Sequence, residues 1–186
     1  MSERATAGAL DRADIADLIR DVPDFPQPGV GFKDISPLLQ SPEGFAAAID
    51  AMVAASPSNI DVVLGMEARG FIFGAPIALA LGAGFVLVRK PGKLPLPTVS
   101  QSYDLEYGSN TLAVHTDAIR PGARALIVDD VLATGGTVLA TAGLIEQLGG
   151  VLVQTTVLME LAFLSGREHL AAHGVDSVVS IVTYDA

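Results

Sequence analysis

Apolar-rich runs alternate along this chain with stretches of helical spacing, and glycine, proline and small polar residues separate them. Residues 60–64, 85–88, 125–128, 151–158 and 178–184 are dominated by aliphatic side chains and bounded by turn formers. Runs of that length, with no strict polar alternation, predict strands covered on both faces of a parallel sheet. Residues 10–20 place Ile15, Leu18 and Ile19 on one helical face. Ser41, with Pro42 behind it, reads as the N-cap of the next helix. Residues 71–81 predict a buried helix stopped by Gly82-Ala83-Gly84. Val138, Leu139, Leu144, Ile145 and Leu148 predict another that stops at Gly149-Gly150. Strand and helix in alternation define the α/β class, with a twisted, mainly parallel central sheet flanked by helices.

Three stretches break the rhythm. Residues 22–37 hold four prolines and two glycines and read as an irregular loop. Residues 91–107 are polar, turn-rich and too long for a simple connector, which predicts a mobile lid or a protruding hairpin. Residues 70–88 carry no charge for nineteen positions and approach the length of a membrane span. Pro76 and the Gly-Ala-Gly break divide that stretch, so it reads as core rather than membrane. There is no internal repeat, low-complexity tract or splitting linker, so the 186 residues are expected to form a single domain.

Chemistry concentrates where the run at 125–128 ends. Two carboxylates, Asp129 and Asp130, come next, followed by Val131-Leu132-Ala133-Thr134-Gly135-Gly136-Thr137. A glycine- and threonine-rich loop between strand and helix offers backbone N–H groups, hydroxyls and a positive helix end together, which is a phosphate cradle. The adjacent carboxylates suit sugar hydroxyls or a cation, so the pair of features suggests a ribose 5-phosphate. No lysine follows the glycines as in a nucleotide-triphosphate loop, and the three-glycine spacing of dinucleotide binders is absent. Arg69, Arg89, Lys90 and Lys93 follow two other strand ends. Because ligands in open α/β sheets lie beyond the carboxyl ends of strands, these cations should share an edge with the acid pair and meet a diphosphate. The net charge of −10 argues against a nucleic-acid surface. Without cysteine there are no disulfides or thiolate metal sites. No apolar leader is visible, which predicts a cytoplasmic protein. His115, His169 and His173 lie outside every motif and are not spaced for a metal.

The stretch at 125–137 resembles the phosphoribosyl diphosphate (PRPP) signature of type I phosphoribosyltransferases. Phe25-Pro26-Gln27-Pro28-Gly29-Val30-Gly31-Phe32-Lys33-Asp34-Ile35-Ser36-Pro37, Glu67-Ala68-Arg69-Gly70-Phe71, Val88-Arg89-Lys90-Pro91-Gly92-Lys93-Leu94-Pro95 and Ser102-Tyr103-Asp104-Leu105-Glu106-Tyr107-Gly108 look like segments of the adenine phosphoribosyltransferase family. The match follows the family's order from about residue 24 to 168. Gly31 departs from a more usual aliphatic, and Lys33 from a more common arginine.

That resemblance implies the type I phosphoribosyltransferase fold, with a small N-terminal hood at about 22–40 and a flexible lid hairpin at about 97–115. It implies transfer of phosphoribose from PRPP to adenine, giving AMP and diphosphate in purine salvage. Glu106 is implied as the general base that accepts a proton from the purine, and Asp129 and Asp130 as the groups that grip the ribose. Ala133, Thr134, Gly135, Gly136, Thr137 and Tyr107 would bind phosphate and ribose, while Arg69, Arg89, Lys90 and Lys93 neutralise diphosphate. Gly31, Phe32, Lys33 and Leu161 would bind the base. The implied cofactor is Mg2+, carried mainly by PRPP, with Asp129 and Asp130 reaching it through water. A homodimer is also implied, with Arg89 reaching the neighbouring site; the mean hydropathy of +0.48 favours such an assembly. The rival readings are a 6-oxopurine transferase and a non-catalytic regulator that senses PRPP or nucleotide.

Overall fold

In the computed structural model, which describes residues 10–104 and 109–186, the chain divides into a unit ending at Ala51 and one beginning at Met52. In the first unit, Asp11 accepts the N–H groups of Ala13 and Asp14 while Asp14 accepts that of Asp11. This capping box starts α1 (Arg12–Asp17). The helix ends earlier than its apolar spacing predicts. Arg20–Val22 (β1) instead pairs antiparallel with Phe32–Asp34 (β2). The proline-rich stretch expected as irregular is therefore largely the connection of a hairpin, where no ladder N–H is needed. A short helix, α2 (Ser36–Gln40), follows. α3 (Pro42–Ala55) begins where expected, with Ser41 Oγ accepting the Gly44 N–H at 3.0 Å, and runs on into the second unit.

The second unit contains β3 (Val62–Met66), α4 (Gly70–Leu81), β4 (Gly84–Val88), β5 (Thr98–Asp104), β6 (Ser109–His115), β7 (Arg124–Leu132), α5 (Gly136–Gln147), β8 (Val151–Leu161), α6 (Gly166–Ala171) and β9 (Val178–Tyr184). Five strands form one parallel sheet in the order β4-β3-β7-β8-β9. The chain runs outward from β3 to β4, then restarts at β7 and runs the other way. The gap between the carboxyl ends of β3 and β7 is thus the topological switch point, where α/β sheets bind ligands.

β7 does not end at its carboxylates, as the aliphatic run suggests. Its pairing with β8 continues through Asp129↔Val157 to Leu132↔Glu160, because ladder hydrogen bonds are indifferent to side-chain polarity. Pro76 lies inside α4 instead of dividing the stretch. α4 packs so closely on the sheet that a Cβ at Gly65 or Gly74 would lie 2.8 or 2.7 Å from the Phe85 ring. Phe73 and Ile77 are fully buried, but Ile72 is 38% and Leu79 83% exposed, so this helix is covered on one face only. Among the described residues no helix is long and apolar enough to cross a membrane.

The expected lid is an antiparallel β5–β6 ladder from Thr98↔His115 to Asp104↔Ser109. Its tip, with Glu106 and Tyr107, lies outside the described residues. The base is core rather than lid. Leu112 and Val114 are buried in the main cluster, Val99 packs against them, and Ala113 exchanges both backbone hydrogen bonds with Arg89.

Candidate active site

Four segments meet at the switch point: the turn after β3, the end of β7 with the loop into α5, Lys90 two residues beyond β4, and the β5–β6 ladder at Tyr103 and Leu112. Together they line a cavity of about 230 Å3. It collects Arg69, Lys90, Asp129, Asp130, Ala133, Thr134, Gly135 and Thr137 from the expected set, along with Glu67 and Tyr103, which sequence reasoning did not single out. Arg89, Lys93, Gly136 and Leu161 do not line it. Gly136 opens α5, and Leu161 closes β8 half-buried opposite Tyr184. Gly31, Phe32 and Lys33 belong to the first unit, where Phe32 meets Phe25 edge-to-face at 5.1 Å and Lys33 pairs with Asp21.

The loop after β7 has the form of an anion site. Gly135 holds φ +86° at the start of α5 and supplies no side-chain cap. The first-turn N–H groups of this helix are therefore left for an anion, reinforced by its dipole. Glycine is required at 135 for a second reason: a Cβ there would lie 3.0 Å from the Gly166 carbonyl oxygen and 3.1 Å from Leu170 Cγ. The obstruction comes from behind the loop. Gly135→Val should weaken binding of PRPP roughly tenfold or more, from a backbone strain of about 1–3 kcal/mol, and titration calorimetry reads this directly. Unchanged affinity in the folded variant would remove the loop from the site.

The acid pair is crowded. Asp130 is almost wholly buried, and its Oδ2 stands 2.8 Å from Arg69 Nε. Asp129 Oδ1 accepts the Asp130 N–H at 2.9 Å, and α4 starts with a glycine beside it: a Cβ on Gly70 would come within 2.7 Å of that oxygen. Burial pushes both carboxyls above the ordinary range. At Asp129 the charge of Asp130 adds to the rise, while at Asp130 the Arg69 guanidinium opposes it. A buried carboxylate and a half-buried one beside one arginine are poised to bind hydroxyl donors or a cation.

The cations are organised by an acid. Glu67 Oε2 accepts from the Lys90 N–H at 3.1 Å and from Arg89 Nε at 3.3 Å, and Arg89 Nη1 donates to the Lys93 carbonyl at 3.0 Å. The Lys90 N–H, with the hydrogen bond and charge of Arg89, holds the Glu67 carboxyl low against a smaller opposing effect of burial. Glu67 lies inside a quoted motif, but its partners are 22 and 23 residues away, so spacing does not reveal its role. Among the described residues no group of three or more His, Asp or Glu is arranged to hold a metal. Asp129 and Asp130 fit water-mediated contact with an ion whose inner ligands come from a substrate.

A glycine turn opening a helix at the switch point of a parallel sheet, with an acid pair before it and a cationic turn opposite, defines the phosphoribosyltransferase class. The model of the phosphoribosyl transferase domain family matches residues 34–185. Over 169 residues the chain is 63% identical to the adenine phosphoribosyltransferase of Cutibacterium acnes, covering 91% of this chain and 96% of that one. The crystal structure of the Thermoanaerobacter pseudethanolicus adenine phosphoribosyltransferase superposes with a TM-score of 0.89 at 46% identity, covering 93% and 99% of the two chains. The Saccharomyces cerevisiae adenine phosphoribosyltransferase, solved with adenine and an imino-altritol bisphosphate, gives 0.84 at 39% identity, covering 91% and 97%. The chain belongs to the adenine phosphoribosyltransferase family.

Proposed function

We infer that this protein transfers the 5-phosphoribosyl group from PRPP to adenine, forming AMP and diphosphate in purine salvage. The observation that carries this reading is the phosphate loop sharing one cavity with the acid pair, Arg69 and Lys90. The family's chemistry supplies the base. The C1′–O bond to diphosphate breaks, the N9–C1′ bond forms, and the purine gives up a proton. Asp129 and Asp130 accept from the ribose hydroxyls, and their charge lies on the side where C1′ becomes oxocarbenium-like. Arg69 and Lys90 meet the departing diphosphate, with Arg89 and Lys93 behind them. Asp129 and Asp130 would hold, through water, the Mg2+ that PRPP carries, and the ion would supply further charge neutralisation. Glu106, with Tyr107 beside it, would close over the site, and Glu106 takes the proton. For the base, the family resemblance implies Gly31, Phe32, Lys33 and Leu161. A homodimer would cover Ile72 and Leu79 of α4 and Leu87 of the edge strand β4, all exposed in the single chain, and would let Arg89 reach the neighbouring site.

Purified protein with PRPP, Mg2+ and each purine in turn tests the reading by separation of the product nucleotides. AMP from adenine alone is expected. Comparable turnover of guanine or hypoxanthine would make it a 6-oxopurine enzyme. PRPP binding without turnover of any base would make it a regulator.

A further inference from the structure

Arg167 lies outside the cavity, yet it anchors the piece of chain on which the phosphate loop rests. Its Nε donates to Glu160 Oε1 at 3.0 Å and its Nη1 to the Val178 carbonyl at 2.7 Å. Its Nη2 donates to Ser180 Oγ at 3.1 Å and to Glu160 Oε2, which also accepts from Ser180 Oγ at 2.6 Å. One guanidinium thus ties the end of β8 to β9 and to the first turn of α6. The Glu160 carboxylate is 5% exposed, so it has little water to replace a lost partner.

Arg167 is adjacent to Gly166, which has almost no space around it. A Cβ on Gly166 would overlap the Ala133 carbonyl oxygen and lie 3.2 Å from Leu132 Cδ1. From the other side, a Cβ on Gly135 would lie 3.0 Å from the Gly166 carbonyl oxygen. The backbone at 166 is therefore flush against the back of the Ala133–Gly135 turn, and any shift of one moves the other.

We propose that Arg167 is a positioning residue for 5′-phosphate binding: fixed to Glu160, Val178 and Ser180, it holds Gly166 against Ala133 and so keeps the loop in its receptive shape. The proposal rests on the reading of that loop as the phosphate site. An ion pair that merely holds the fold together would affect melting temperature and the amount of active protein. A positioning residue affects recognition of the phosphate.

Arg167→Met removes the charge and all the donors with similar bulk, whereas Arg167→Lys keeps the charge but loses the planar fork. Ribose 5-phosphate, titrated calorimetrically, probes the loop without base or diphosphate. Initial rates with PRPP and adenine varied separately give the two KM values. Arg167→Met should raise the ribose 5-phosphate Kd and the PRPP KM about tenfold or more, leaving kcat and the adenine KM within about twofold. Arg167→Lys and Ser180→Ala should fall between it and the parent. If Arg167→Met does not fold, those two milder variants carry the test and must still raise the PRPP KM. Parent values for the ribose 5-phosphate Kd and PRPP KM in the folded variants, whatever their melting temperature, would overturn the proposal. If Gly135→Val binds ribose 5-phosphate as the parent does, the reading of the loop itself fails, and the proposal fails with it.

Discussion

Asp129→Asn should make the ligand-free protein more stable and the enzyme at least a hundredfold slower. Burial and the charge of Asp130 raise the Asp129 carboxyl pKa in the folded state. Between its unfolded and folded pKa values the native state therefore holds more proton than the unfolded chain. Stability falls as pH rises through that window, and above it the ionised carboxylate is a standing cost of folding. Asparagine has the same shape and still accepts the Asp130 N–H, but it has no charge to desolvate. Its melting temperature should rise, by roughly 2–4 °C for each kcal/mol recovered in a chain of this size, and vary less with pH above the ordinary carboxylate range. The same neutralisation removes charge from the ribose site. Losing one preorganised electrostatic group costs about a hundred- to a thousandfold in kcat. Thermal unfolding against pH, paired with steady-state kinetics, reads both effects. A variant that melted lower and turned over normally would mean that the carboxylate is structural.

Glu106→Gln isolates the proton transfer. Glutamine keeps size and polarity but takes up no proton at neutral pH, and a positioned general base contributes about a hundred- to ten-thousandfold in rate. kcat should fall within that range, with adenine and PRPP binding changed much less than tenfold. Glu106→Leu should be at least as damaging because it also loses the hydrogen bond to the base. Asp104, at the end of the β5 ladder, is the internal control, and Asp104→Asn should be nearly silent. The reverse pattern would place the base two residues earlier. Silence in both would leave catalysis to oxocarbenium stabilisation and diphosphate neutralisation.

The parallel strands and the glycine turn into α5 were legible because each is written in consecutive residues: aliphatics for buried strands, and Gly135 where the chain needs a positive φ. What was hidden depends on distant partners. The β1–β2 pairing is only three residues long on each side, too short for a period to declare itself, and the prolines between suggested an irregular loop rather than a hairpin. The base of the expected lid read as part of a mobile or protruding segment, but Leu112 and Val114 on β6 anchor it in the core. Residues such as Glu67 and Gly166 carry no local mark of importance. Glu67 matters because β4 ends beside β3, and Gly166 because α6 returns to lie behind the loop after β7. Asp129 and Asp130 were recognised as a pair, but their inequality, with one held by Arg69 and the other wedged beside Gly70, exists only in three dimensions.

The ladder at the base of the β5–β6 hairpin sets which part of it can be exchanged between relatives. Transplanting the whole of 97–115 would remove Val99, Leu112 and Val114 from the core and break the backbone pairing of Ala113 with Arg89. A graft confined to residues 105–108 leaves those contacts in place, and it also leaves the Ser102–Thr111 hydroxyl pair at 2.9 Å. The hairpin is therefore a modular tip on a non-modular stem. Variation in residues 105–108 can accumulate without disturbing the sheet, whereas variation in the stem has to be matched by β4 and the core beneath it.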